Sequence, residues 1–361
     1  MTGARIALVA PSLEIPGGQG IQAHALAEGL RRDGEDVAFV PIDPGFPRGM
    51  RWLRRRRYAR TVVNEALYLA SLRRLRGVDV THVFSASYWS FLLAPVPAMA
   101  AGRRWGRRVV LHYHSGEADD HLARWGRLVH PGLRLADEIV VPSEYLRRVF
   151  ARHGYVARVI PNVVDTSSFR FRPRRSPQPR FLSTRNFEPY YRVENTLEAF
   201  ALLNRRFPGA TLALAGHGSL EGRLRQRAGA LGVDGVQFRG RVDSREMPRL
   251  CDESDIFLNS SVLDNQPVSI LEAFAAGLPV VSTSTGDIGR MLRDGETGLL
   301  VPPDDPGAMA AAATEILDHP HRALQMAQRA RREAERHSWS AVRAAWAEVY
   351  SAGTAVVRRA G

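Results

Sequence analysis

The stretch from Ile256 to Ser282 constrains the fold more tightly than any other part of the chain. Ile256 to Asn259 reads as a short buried strand, Val268 to Ala276 as a helix opening after Pro267, Gly277 as its end, and Pro279 to Ser282 as the start of the next strand. Two apolar strands joined through a helix belong to a parallel sheet whose faces are covered by helices. The alternation runs almost throughout. Strands are expected at Arg5 to Pro11, Val37 to Val40, Val80 to Phe84, Val109 to Tyr113 and Glu138 to Pro142, then at Phe181 to Ser183, Thr211 to Ala215 and Val236 to Phe238, with helical segments between them.

At 361 residues and 45% hydrophobic content, the chain is long enough for two ordinary cores. Arg170 to Arg180 holds three prolines and no apolar periodicity, which makes it a connector. The expected division is residues 1–169, a linker at 170–180, a second domain at 181–337 and a last helix in 338–361. Helices are also expected over Ala308 to Leu317 and around Arg322 to Arg336. Trp339, Val342, Trp346, Val349 and Tyr350 recur at helical spacing, and periodicity leaves open whether that helix closes the second domain or crosses back to the first.

The net charge is +13, and all 50 cationic side chains other than histidine are arginine. Without lysine there is no Schiff-base chemistry and no lysine-bearing phosphate loop, so any grip on phosphate falls to arginine, backbone amides or helix ends. One cysteine, Cys251, excludes an intramolecular disulfide. The apolar run Ile6 to Ala10 is too short for a signal-peptide core. Tyr88 to Ala101 carries Pro95 and Pro97 and falls short of the roughly 20 residues a membrane span needs. A cytoplasmic protein is expected. Arg48, Arg51, Arg54 to Arg57 and Arg60, interleaved with Trp52, Leu53 and Tyr58, form a segment suited to an anionic membrane surface on its inner face, with a solvated helix as the plain alternative. No nucleic-acid-binding signature accompanies the charge, and nucleic acid is not an expected partner.

Several turns carry groups fit for an anion or a sugar. Asp264, Asn265, Gln266 and Pro267 precede a helix whose first amides face the turn, and Glu272 lies about one turn inside it, where a carboxylate can accept hydrogen bonds from a diol such as ribose. Gly17 and Gly18 stand between the first strand and a helix, as Gly216 and Gly218 do between a later pair, and glycines there let the backbone approach a ligand. The strand Val109 to Tyr113 delivers His112 and His114 to one face near its carboxyl end, the edge where parallel sheets gather ligands. A metal pair and structural imidazoles are the rival readings, and no acid or thiolate cluster accompanies the two rings. Arg185 follows the first strand of the second domain, with Arg192 further on. Ser143 and Asp165 suit caps and turns.

The run from Asp264 through Glu272 to Ala273-Phe274-Ala275-Ala276-Gly277-Leu278-Pro279-Val280-Val281 resembles the acid, seven residues, acid signature of the fourth family of retaining glycosyltransferases. Asp264 stands where that family has glutamate, and Asn265-Gln266-Pro267 replaces the commoner glycine-aromatic-glycine turn. The resemblance spans nearly the whole chain. It implies the GT-B architecture: an α/β chain of two Rossmann-like domains facing across a cleft, the first for acceptor and the second for donor. His114 would reach the transferred sugar. Arg185 would hold the donor diphosphate, for which the family also uses a lysine that is missing here, and Arg192, whose planar fork differs from a lysine point charge, would stand in for it. Asp264 would orient the sugar, and Glu272 would hold the ribose. Gly17, Gly18, Gly216, Gly218, Val242, Asn265, Gln266 and Pro267 would line the donor site. The implied activity is retaining transfer of a sugar from a nucleotide-diphosphate sugar to a hydroxyl of a saccharide or lipid-linked acceptor, with no metal and no other cofactor. A non-catalytic nucleotide-sugar or membrane-binding protein of the same fold is the alternative, and a sugar-nucleotide epimerase fits the motifs poorly.

Overall fold

The computed structural model describes residues 3–14, 17–49, 52, 57–85 and 87–351. They fall into two compact units, one made of the chain up to Val163 together with the chain from Val342 on, the other of Val164–Ala341.

The first unit orders β1 (Arg5–Ala10), α1 (Gly18–Arg32), β2 (Asp36–Pro41), α2 (Arg57–Ser71), β3 (Val80–Ser85), α3 (Trp89–Leu93), α4 (Pro95–Arg104), β4 (Arg108–Tyr113), α5 (Ala118–Leu133), β5 (Glu138–Val141), α6 (Glu144–Arg152) and β6 (Arg158–Val159). The second orders β7 (Arg180–Ser183), α7 (Val193–Arg206), β8 (Thr211–Ala215), α8 (Glu221–Ala230), β9 (Val236–Gly240), α9 (Met247–Glu253), β10 (Ile256–Asn259), α10 (Val268–Ala276), β11 (Val280–Thr283), α11 (Ile288–Met291), β12 (Leu299–Val301), α12 (Pro306–Asp318) and α13 (Pro320–Glu335). The last helix, α14 (Trp339–Ser351), joins the first unit from Val342.

Each unit holds one six-stranded sheet, ordered β2-β1-β3-β4-β5-β6 and β12-β11-β10-β7-β8-β9. All the strand pairs are parallel. In the first sheet the strand order reverses between β1 and β3, and in the second between β7 and β10. Ligands of doubly wound sheets bind outside the carboxyl ends of the strands at such a reversal. The expected α/β class with two Rossmann-like units is the one observed.

The core strands are apolar because both of their faces are covered: β1 is buried from Ile6 to Ala10, and β4 and β10 are buried throughout. Gly277 adopts φ 74° and ends α10, as its place in the sequence suggests. Ser143 caps α6 by accepting the Leu146 N–H at 3.2 Å, and Asp165 accepts from Ser167 and Ser168 in a turn.

Residues 170–180 lack a helix or strand until Arg180, yet they pack into the second unit instead of hanging free. The Arg174 side chain is buried and donates to the carbonyls of Cys251, Ser254 and Ala276 at 2.7 to 3.0 Å, so it closes the carboxyl ends of α9 and α10. No described helix is long and apolar enough to cross a membrane. Of the basic segment Arg48 to Arg60, residues 50, 51 and 53–56 lie outside the described residues.

Candidate functional site

In the second unit, the site grows from the two strands that flank the reversal. The chain leaving β7 presents Arg185, and the chain leaving β10 presents Asp264. The two meet: Arg185 Nη2 donates to Asp264 Oδ2, and Nη1 donates to Ser269 Oγ at 2.9 Å. The guanidinium carbon also lies 4.1 Å from the centre of the Tyr191 ring. Arg185 is 7% exposed, and its Nε is buried with no hydrogen-bond partner among the described residues.

Asp264 is fixed in turn, its Oδ1 accepting the Asn265 N–H at 2.8 Å. Its loop is pinned to the loop after β11. The Asp287 N–H bonds the Asn265 carbonyl at 3.0 Å, and Thr285 Oγ1 donates to the Val262 carbonyl at 3.0 Å. Gly286, at φ 57°, makes that contact possible, because a Cβ there would lie 1.9 Å from the Asp264 carbonyl oxygen.

Asn265 and Gln266 are buried beside the turn. Pro267 is the N-cap of α10 and supplies no side-chain oxygen; the Ile270 N–H turns back to the Pro267 carbonyl at 3.2 Å, and the Val268 and Ser269 amides are the ones that can face an outside acceptor. Glu272 follows on the same helix, partly exposed. Desolvation of its carboxyl lifts its pKa to about 7, while the Arg185 charge pulls the other way.

Arg192 is not part of this cluster. It sits at φ 47° at the start of α7, its Nε pairs with Asp304 Oδ1 at 3.2 Å, and its carbonyl accepts from Ser260 Oγ at 2.7 Å. Gly216 and Gly218 pack against the chain that follows β7: a Cβ at Gly216 would stand 2.1 Å from the Arg185 carbonyl oxygen, and one at Gly218 would stand 2.5 Å from that of Phe187. Their lack of side chains thus already serves the scaffold of Arg185. Val242 lies past β9 in a cleft of about 110 Å³ lined also by Arg239, Arg241, Glu246 and Leu250.

In the first unit the carbonyl of Ser85, at the end of β3, collects two of the expected features. Gln19, next to Gly17 and Gly18 at the opening of α1, donates its Nε2 to it at 3.1 Å, and the His114 backbone N–H donates at 3.3 Å. Among the described residues, and leaving aside its chain neighbours, nothing stands within 4 Å of a Cβ placed at Gly17 or Gly18.

The His114 ring lies 5.2 Å from Phe84 at 16° and 4.1 Å from His112. Its Nε2 is buried without a partner among the described residues, and desolvation holds its pKa down at about 3, so at neutral pH it is an uncharged imidazole. His112 is covered by Trp346 of α14 at 5.0 Å, in keeping with a packing role. Among the described residues no three or more His, Cys, Asp or Glu side chains stand where they could hold a metal ion.

The sequence did not single out Ser269, Tyr191 or Gly286. Ser269 had a readable signal, as a hydroxyl in the first turn of a helix behind an acidic turn. Tyr191 and Gly286 had none, since each acts through a contact that only the folded chain makes, Tyr191 with the Arg185 guanidinium and Gly286 with the Asp264 carbonyl.

Two family models match adjoining parts of the chain: Glycosyltransferase Family 4 over residues 16–168 and Glycosyl transferases group 1 over residues 165–333. A glycogen synthase of Mycobacterium tuberculosis is 30% identical over 270 residues, covering 70% of this chain and 64% of that protein's own length. A phosphatidyl-myo-inositol mannosyltransferase of Mycolicibacterium smegmatis is 29% identical over 341 residues, covering 87% of this chain and 85% of the relative. Among solved structures, Anabaena HepE in complex with UDP and glucose superposes with a TM-score of 0.77 at 18% identity, covering 96% of this chain and 99% of HepE. Sucrose-phosphate synthase from Thermosynechococcus elongatus superposes with a TM-score of 0.75 at 20% identity, over 96% and 98%. With two parallel doubly wound sheets and family matches that together run from residue 16 to residue 333, the chain belongs to the group 1 glycosyltransferases.

Proposed function

We propose that the protein transfers a sugar from a nucleotide-diphosphate sugar to a hydroxyl acceptor, with retention at the anomeric carbon. The observation that carries this reading is the joining of Arg185, Asp264 and Ser269 at the β7/β10 reversal, beside the open first turn of α10 and one helical turn from Glu272.

When the bond from the anomeric carbon to the donor phosphate breaks, negative charge collects on the departing diphosphate. Arg185 and the α10 amides offer fixed positive charge and donors there, which lowers the barrier because they need no reorganisation as the charge develops. Asp264 orients the sugar, and in the first unit the neutral imidazole of His114 is the group suited to a hydrogen bond with a ligand hydroxyl. Glu272 accepts hydrogen bonds from the ribose, and Val242 lies beside the base. The new bond from the anomeric carbon to the acceptor oxygen forms on the face the phosphate leaves, and the acceptor's proton passes to that phosphate. On this reading positioning and electrostatics suffice, and no metal takes part.

A nucleotide donor agrees with the UDP and UDP-glucose held by HepE. A saccharide or lipid-linked acceptor agrees with the glycogen synthase and phosphatidyl-myo-inositol mannosyltransferase relatives, and the Arg48 to Arg60 segment would hold the enzyme at an anionic surface facing the cytoplasm.

Calorimetric titration of UDP, GDP, ADP and their common sugar conjugates into wild type, Glu272→Ala and Arg185→Ala at fixed moderate salt tests the donor site. One nucleotide should dominate, with affinity falling at least tenfold in each variant. Uniform weak binding that ignores both substitutions would overturn the assignment. Selective binding without turnover of any acceptor would favour a non-catalytic binding protein.

A further inference from the structure

Arg185 faces an unusual demand. The chain contains no lysine, and Arg192 is turned to Asp304, so one guanidinium near β7 is left to meet the diphosphate. That guanidinium gives one N–H of Nη1 to Ser269 and one of Nη2 to Asp264, which leaves it one N–H on each of these nitrogens and the Nε–H, buried and without a partner among the described residues. Donors set in a rigid planar fork meet a ligand well only if that fork is held in place.

The guanidinium carbon lies over the Tyr191 ring, 4.1 Å from its centre, where the ring face holds the cation by its quadrupole. The platform is itself fastened. Tyr191 ends a short 3-10 turn, Pro189–Tyr191, whose last N–H bonds the Glu188 carbonyl at 3.0 Å. The Tyr191 carbonyl accepts from Ser260 Oγ at 2.9 Å, and the Tyr190 carbonyl accepts from the Val262 N–H at 2.9 Å, which ties the turn to the chain leaving β10. The Tyr190 ring braces that of Tyr191 from 4.5 Å at 65°. Burial lifts the Tyr191 phenol to about 12, so the guanidinium meets a neutral ring.

We propose that Tyr191 is a positioning residue whose ring holds the Arg185 guanidinium and thereby aims its remaining N–H donors at the donor diphosphate, so that one arginine held by a ring serves where an arginine and a lysine would otherwise share the charge. The inference rests on the donor site proposed above and names the residue that sets its grip on phosphate.

The test compares Tyr191→Leu, Tyr191→Phe and a protein carrying pentafluorophenylalanine at position 191, which keeps the shape of phenylalanine and reverses the charge on the ring face. Each is titrated with the mono- and diphosphates of uridine, guanosine and adenosine. Tyr191→Phe should bind the preferred diphosphate within about twofold of wild type, while Tyr191→Leu and the fluorinated protein should lose about tenfold, the size of a desolvated cation–π contact. The monophosphate should change by less than twofold throughout, and kcat should fall more than KM rises in any transfer assay. Equal losses for mono- and diphosphate would make Tyr191 a packing residue and overturn the proposal. So would a fluorinated protein that matches Tyr191→Phe, a comparison that stands even if Tyr191→Leu does not fold. A wild type that binds no nucleotide would instead sink the donor site, and the role of Tyr191 with it.

Discussion

In the proposed donor site, the charge on Glu272 would favour binding while it opposes folding. Its carboxyl titrates at about 7 in the folded protein against an ordinary 4.5, because desolvation by its surroundings outweighs Arg185. A carboxylate accepts hydrogen bonds from ribose hydroxyls better than a carboxylic acid does, so affinity for the nucleotide sugar should rise between pH 6 and pH 8 and level off above. Nucleotide sugars suit the measurement because both of their phosphates are esterified and do not titrate there. Calorimetry across that range should show the rise in wild type and a flat profile in Glu272→Gln. The stability effect has the opposite sign. A raised carboxyl pKa means that the folded state holds a proton the unfolded state has lost, so this residue's contribution declines as pH climbs from about 4.5 to about 7, and Glu272→Gln should remove the decline.

Among elements, the segment ending in β7 departs furthest from what its sequence suggests. Arg174 donates to three helix-terminal carbonyls and to the Arg172 carbonyl, and burial lowers its own pKa to about 10, still leaving it charged at neutral pH. Arg174→Ala should cost about 3–5 kcal/mol in denaturant unfolding, since it strands buried acceptors, and Arg174→Lys should recover only part of that because an ammonium lacks the planar fork. Three prolines and no periodicity made this segment look like a free connector; the partners of Arg174 are the ends of α9 and α10, about 80 to 100 residues away, and no local pattern announces them. The long alternation was legible for the opposite reason. Ile256–Asn259, Thr211–Ala215 and Val268–Ala276 each carry their burial pattern within themselves. β6, with two residues, and β12, with three, are too short to show a period. At the site, the helix turn and its two acids were readable as a motif, and Arg185 as a cation after a strand. That Asp264 holds Arg185, or that the space beside Gly216 is filled by the Arg185 carbonyl, follows from the crossing of β7, β8 and β10 and not from any one of them.

For the whole molecule, acid should be the weak side of stability. His82, His112 and His114 cluster with Phe84, Trp346 of α14 packs on His82 and His112, and His82 Nδ1 lies 2.8 Å from Tyr350 Oη. Desolvation pulls His82 and His114 down to about 3 and His112 well below the ordinary 6.5, and His121 falls to about 4. These rings stay neutral in the fold and take protons when it opens, so stability should be fully present above pH 6.5 and drain away as pH falls toward 3. Thermal unfolding followed from pH 7 to pH 4 should show this loss, and His82→Phe should flatten part of the slope; a wild type indifferent to pH in that window would contradict the buried-neutral arrangement.

Vectorial synthesis gives the position of α14 another meaning. The face holding His82 and His112 is made early, while the helix that covers it is made last, after the roughly 180 residues of the second unit. At about 5–20 residues per second, a ribosome leaves that face uncovered for something like ten to forty seconds. During that interval a nascent chain carries an unroofed patch of aromatic rings and cannot complete its first-made unit. A message truncated just ahead of Val342 would therefore yield a protein whose second unit is whole and whose first lacks its closing helix.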